Sequence, residues 1–282
     1  MVPSLRNGGI KTTQPMKKKI TFALVGIIAG GLARAQAPAP AAAPAPAAAP
    51  AVSFTATGTL VSDYMFRGQR LSSAAFQPAV EGTAGDLTFG VWASKPFDGK
   101  KVPDSSDPEI DLYGSYSIAL GKDMSFVPGI TAYFYPSAPT AAGFYRSTFE
   151  PSLAFNYTVE GVKFTPKVYY DIVLEGATWE FSAAYAVPMK EIGSELGLTA
   201  TYGTFLLNDA ANGSSPAVKS WGNYWLIGLS MPFQVTKESK IVLGLQYTKG
   251  SDAFTKQGSS GKSANSLAVG KTVGTIGYSF SF

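Results

Sequence analysis

The chain is 282 residues long and 45% hydrophobic, and it contains neither cysteine nor histidine. These absences exclude a disulfide framework, thiolate or imidazole metal sites, and Ser-His-Asp or Cys-His catalysis, so no metal, no cofactor and no enzymatic activity are expected. The formal charge of +4 comes from the first 35 residues, which hold six basic and no acidic side chains; the remaining 17 basic against 19 acidic residues give a net of −2, which argues against a nucleic-acid partner.

Residues 1–15 read as an extension upstream of a natural start at Met16. Residues 16–35 follow the three-part pattern of a secretory signal peptide. Lys17, Lys18 and Lys19 are the positive end, Ile20 to Leu32 the apolar run, and Ala33-Arg34-Ala35 the small-x-small cleavage site. The apolar run is too short for a spanning helix. Residues 36–52 are an Ala/Pro-rich linker, extended because proline recurs too often for a helix.

From residue 53 to residue 282 the hydrophobic period is two, and twelve segments alternate. Segment 53–66 sets Phe54, Ala56, Leu60, Tyr64 and Phe66 against Thr55, Thr57, Thr59 and Asp63. Segments 75–83, 87–95, 109–120 and 124–135 follow, with Trp92 on the polar side of the third. The sixth and seventh are the clearest: Phe149, Leu153, Phe155 and Tyr157 oppose Arg146, Glu150 and Asn156. Phe164, Val168, Tyr170 and Ile172 then oppose Lys163, Lys167 and Asp171. Segments 177–187, 195–206, 221–231 and 240–249 come next, and the last ends at Tyr278, Phe280 and Phe282. Nearly every charge falls on the face opposite the aromatic one, so each strand has one wet face and one apolar face.

The connections decide which face is inside. Gly85-Asp86, Gly121-Lys122-Asp123 and Glu160-Gly161 are tight turns, and the links between them are mostly long and polar. Glu175-Gly176 is a short exception on the long side, while "PMKEIGSE" and "PFQVTKES" are long for the tight side. Alternating short turns and long loops, with strands of about ten residues, predict an all-β fold. It is a single closed, antiparallel, up-and-down transmembrane β-barrel of about twelve strands, apolar outside and polar in the lumen. An even strand number lets the last strand close on the first. The terminal Phe282 then suits recognition by the barrel-assembly machinery of the outer membrane of a Gram-negative-type bacterium.

"SDYMFRG" at 62–68, the Gly90, Trp92 and Ser94 of "GVWAS", and "DLYGSYS" at 111–117 resemble motifs of the TorF-type family of bacterial outer-membrane porins. The resemblance covers the first third of the barrel. It implies a barrel and a channel, and supplies no substrate.

Candidate lumen-lining residues are Asp63, Arg67, Glu81, Glu109, Asp111, Arg146, Glu150, Lys163, Lys167, Asp171, Glu180 and Lys271. Asp63 and Arg67, four apart near the outer rim, read either as a rim salt bridge or loop anchor, or as a constriction element. The mixed signs suit a packed interior or a weakly selective pore equally. "GSSGKS" at 258–263 lacks the first glycine of a phosphate loop, since residue 256 is lysine, and "DSSDPE" at 104–109 lacks EF-hand spacing. Tyr64, Trp92, Tyr113, Tyr145, Trp179, Tyr202, Trp221, Tyr224 and Tyr247 are material for interfacial girdles. The expected function is passive diffusion of small polar solutes. The alternative is a structural or adhesive barrel with an occluded lumen and partner-binding loops, and a hydrolase would need the histidine that is missing.

Overall fold

Period-two alternation leaves each strand with a wet face and an apolar face, and closing the sheet on itself separates them into an interior and an exterior. A computed structural model describes residues 52–97, 108–138, 145–208, 219–251, 253–255, 262–264 and 268–282. Except for Val52, which opens the first strand, the leader and the linker expected over residues 1–52 lie outside the described residues, as do most of "DSSDPE" and of "GSSGKS".

Twelve strands form the wall: β1 (Val52–Val61), β2 (Ala75–Ala84), β3 (Leu87–Pro96), β4 (Glu109–Tyr116), β5 (Met124–Phe134), β6 (Ser147–Val159), β7 (Val162–Asp171), β8 (Gly176–Met189), β9 (Ser194–Asn208), β10 (Lys219–Gln234), β11 (Ser239–Gly250) and β12 (Lys271–Ser281). Each is antiparallel to its neighbours in sequence. The ring closes where β1 meets β12, from Thr55 opposite Ser281 to Val61 opposite Thr275. Phe54 and Phe282 exchange backbone N–H···O bonds, each 2.9 Å. Their rings stack at 5.9 Å, so the chain's last residue is held at the seam.

The faces sort as the alternation predicts. Leu153, Ile227, Leu245, Ile276 and Phe280 are exposed on the exterior, while Thr88, Glu109, Glu150, Asn156, Thr201 and Thr248 are buried inside. An apolar belt around a polar interior inverts the pattern of a soluble barrel. The expected girdle divides: Trp179, Tyr202 and Trp221 are exposed on the outer face, whereas Tyr64 and Tyr224 are buried within.

Two details differ from the sequence reading, and a third was not expected from it. The first segment leaves the wall at Val61 instead of continuing to Phe66, because residues 62–74 turn inward. The connections that looked long on the tight side are short. β8 and β10 run through Pro188 and Pro232, leaving a single 3-10 turn, Lys190–Ile192, between β8 and β9 and residues 235–238 between β10 and β11. The ladder from β7 to β6 lapses at Thr165 and Pro166, as proline has no N–H to give.

The outward assignment predicts an asymmetric response to charge. Leu245→Arg, at mid-height on the exterior of β11, is expected to cost about 2–4 kcal/mol in denaturant unfolding from phospholipid vesicles. Gln246→Arg, one residue on and facing inward, is expected to cost far less. Equal losses would reverse the assignment.

Candidate functional site

The sequence "DYMFRGQR" makes a hairpin of its own. Arg67 and Gly68 both have positive φ, 47° and 73°, which is a type I′ turn. The strands on either side pair Met65 with Arg70 and Phe66 with Gln69. Gly68 is required twice, for its φ and because a Cβ there would lie 2.5 Å from the Gly250 Cα. At the hairpin's root Asp63 accepts from Arg70 Nε at 2.6 Å, and Lys271 Nζ lies 3.7 Å from the same carboxylate oxygen.

The hairpin is directed into the barrel. Tyr64 packs on Trp92 with centroids 5.6 Å apart, and Met65 joins Val61, Ala75 and Val273 in an apolar cluster where the hairpin meets the wall. The tip crosses the lumen to the far side of the ring. The Arg67 guanidinium makes a bidentate pair with Glu150 on β6, 2.8 Å to each oxygen. It also lies 4.9 Å from the Tyr169 ring on β7 and 4.7 Å from that of Phe66. Tyr133 on β5 donates to Glu150 at 2.9 Å. Burial disfavours the charged guanidinium, but Glu150 outweighs it and holds the Arg67 pKa above its ordinary value.

Beyond the tip, Glu180 on β8 accepts from Tyr169 at 3.3 Å and from Tyr224 on β10. Gly203 permits this, since a Cβ there would lie 2.3 Å from the Tyr224 ring. A cavity of about 30 Å³ lies on this side of the hairpin, lined by Met65, Arg67, Tyr169, Glu180, Tyr224 and Thr248 among others.

An acidic arc lies on the near wall. Glu109 accepts from Tyr135 at 3.4 Å, and Tyr113 donates to Glu81 at 3.2 Å. Asp111 is 9% exposed, and its Oδ1 has no hydrogen-bond partner. Burial, reinforced by the negative charges of Glu109 and Asp111, raises the phenol pKa values of Tyr64 and Tyr135 well above normal.

Of the residues expected from sequence to line the lumen, Glu81, Glu109, Asp111, Glu150, Lys163, Lys167 and Glu180 occupy the inward registers of their strands. Lys167 sits opposite Glu180 with its Nζ 4.5 Å from the Tyr169 ring. Asp171 is buried, but its Oδ1 caps the next turn by accepting from the N–H groups of Val173 and Leu174 at 2.9 and 2.8 Å. Asp63 and Lys271 stay at the hairpin's root. Arg146 precedes β6, where its C=O accepts from the Tyr135 N–H at 2.8 Å, and it is exposed. One expectation is corrected. Asp63 and Arg67 are not partners: the turn at Arg67-Gly68 carries the guanidinium away to Glu150, and Arg70 takes its place beside Asp63. Tyr133, Tyr169 and Arg70 were missed. The signal for Arg70 was the two-residue turn, which makes positions 63 and 70 close the base of one hairpin.

A family model described as "Bacterial protein of unknown function (Gcw_chp)" matches residues 45–280. It does not carry the TorF name, so that resemblance rests on the motifs alone. No curated protein sequence matches the chain. Among solved structures the chain is similar to the NanC porin, at 11% identity over 80% of this chain and 98% of that one, with a TM-score of 0.49. It is also similar to the outer membrane protein OprD from Pseudomonas aeruginosa, at 11% identity over 82% and 65% of the two chains, TM-score 0.38. A third is an anion-selective porin from Comamonas acidovorans, at 12% identity over 82% and 99%, TM-score 0.33.

The bidentate pair predicts strong coupling. Arg67→Ala leaves Glu150 enclosed without its counter-charge and is expected to cost about 3 kcal/mol in denaturant unfolding. Adding Glu150→Gln is expected to restore at least about 1 kcal/mol. Additive losses in that double-mutant cycle would show that the contact is incidental.

Proposed function

The chain belongs to the Gcw_chp family of bacterial proteins of unknown function, and from its barrel geometry we propose that it is a porin-like channel of the outer membrane. Small polar solutes pass through its lumen by diffusion, and the hairpin at residues 62–74 sets the constriction. The observation that carries this reading is the inverted sorting of side chains: an apolar exterior on strands of 8 to 16 residues, around an interior of Thr, Ser, Asn, Glu and Lys. Such strands suit the apolar band of about 25 Å of an outer membrane, and a soluble role would leave that exterior in water.

The interior supports a preference for cations. The described wall presents Glu81, Glu109, Asp111, Glu150, Asp171, Glu180 and Glu195 inward, against Lys163, Lys167, Lys240 and Lys271, with Arg67 added by the hairpin. Fixed negative charge raises the local cation concentration whatever the solute. Insertion would use the secretory signal and the terminal strand ending at Phe282, read by the assembly machinery, with membrane lipid against the exterior.

The small space beside the hairpin favours a second reading, an occluded barrel that acts through its long loops. Current separates the two. In planar bilayers the channel reading expects discrete conductance steps, several-fold larger when residues 64–71 are replaced by a short Gly-Ser turn. It also expects a reversal potential in a KCl gradient displaced toward that of potassium. Folded protein that gives no current, with or without the hairpin, would leave the occluded barrel.

A further inference from the structure

We infer that the far wall of the lumen is a recognition site for a guanidinium group, that Arg67 occupies it in cis, and that the solutes it serves are small guanidinium-bearing cations. This deepens the channel reading and rests on it for the word solute, though not for the site itself.

The acceptor belongs to the barrel and not to the hairpin. Glu150, Tyr133 and Tyr169 project from three consecutive strands, β6, β5 and β7. Glu150 is 3% exposed and offers both oxygens in the plane that a guanidinium fork needs, 2.8 Å from each nitrogen. Tyr133 fixes the carboxylate by donating to it at 2.9 Å, and the Tyr169 ring covers the cation at 4.9 Å. Bidentate charge-assisted bonding under an aromatic face is what selects a guanidinium over a compact ammonium, whose charge is a point and whose hydration is stronger. Lys167 shares the Tyr169 ring at 4.5 Å and sits opposite Glu180, so the cation in the site has one positive neighbour, itself faced by a carboxylate.

The occupant is held less comfortably than its pocket. Arg67 reaches Glu150 only with φ at 47°, in the left-handed region where a residue with a Cβ is strained. A free guanidinium makes the same contacts without that constraint. The hairpin compensates by tethering: a short link gives its arginine an effective concentration in the millimolar range. A solute therefore competes with Arg67 for Glu150, and when it wins, the hairpin tip loses its anchor on the far wall. The seven inward carboxylates against four lysines on the wall enrich such cations at the site.

The test uses calorimetric titration of the purified full barrel in detergent with ethylguanidine, and with ethylurea as its neutral isostere. In wild type Arg67 fills the site, so apparent affinity is reduced by the fraction of molecules in which it is vacant. Arg67→Ala is expected to bind ethylguanidine at least tenfold more tightly than wild type and to ignore ethylurea. The double variant Arg67→Ala/Glu150→Gln is expected to bind neither. If Arg67→Ala does not fold, Arg67→Lys serves in its place: it keeps a charge on the hairpin but loses the fork, and it too is expected to bind more tightly than wild type. Affinity unchanged by vacating the site, equal heat from ethylurea, or binding that survives loss of Glu150 would each overturn the inference. Bilayer current is recorded on the same preparations. Binding without current retires the channel and leaves the guanidinium site standing; current without binding overturns the site and leaves the channel.

Discussion

Everything in this molecule depends on a ladder of backbone hydrogen bonds that has no end. An open sheet of this width would expose two edges of unpaired N–H and C=O groups, costly in water and prohibitive in hydrocarbon. Pairing β1 with β12 removes both edges. Once the ladder is closed, the alternation of each strand has only one geometric meaning, because every second side chain must enter a confined interior. The polar choice for that interior then makes the exterior apolar, with consequences for where the protein can reside.

A polar interior brings its own difficulty, since charges enclosed by a wall must find partners or water. This barrel answers with tyrosine. Glu81, Glu109, Glu150 and Glu180 each accept a phenolic hydroxyl, from Tyr113, Tyr135, Tyr133, and both Tyr169 and Tyr224. A phenol meets a carboxylate's lone pairs without bringing a counter-charge. Asp111, whose Oδ1 lacks any such donor, is the exception.

The wall was legible in the sequence and the hairpin was not, for reasons that particular residues make plain. Period-two alternation is a local property, so all twelve strands could be read one at a time. The errors fell where a local rule met a tertiary exception. Pro188 and Pro232 looked like strand ends, yet both lie within paired strands. Tyr64 and Phe66 continue the apolar phase of β1, which is why the first segment was carried too far. Their rings are used instead against Trp92 and Tyr133 inside the barrel. Nothing local distinguishes an aromatic residue meant for lipid from one meant for a packed lumen. The pairing of Arg67 with Glu150 spans 83 residues and exists only because the closed ring places β6 across from the β1–β2 connection. No periodicity or spacing carries that information.

The hairpin's attachment is better understood as specific than as strong. Bringing a guanidinium and a carboxylate out of water costs several kcal/mol per ion, and their mutual attraction returns that only when the geometry is good and the remaining lone pairs are met. Here the geometry is good: two parallel bonds, a phenol on the carboxylate and an aromatic ring on the cation. The net gain is nonetheless a small difference between large terms, further reduced by the positive φ at Arg67. The root of the hairpin is held otherwise, by Asp63 with Arg70 and Lys271 and by Met65 in its apolar cluster, so losing the tip contact does not require losing the hairpin. A segment fixed firmly at one end and by a finely balanced ion pair at the other can change position without disturbing the ladder around it. The wall supplies rigidity through a continuous network of backbone bonds, and the lumen holds a part whose position a few kcal/mol can reset.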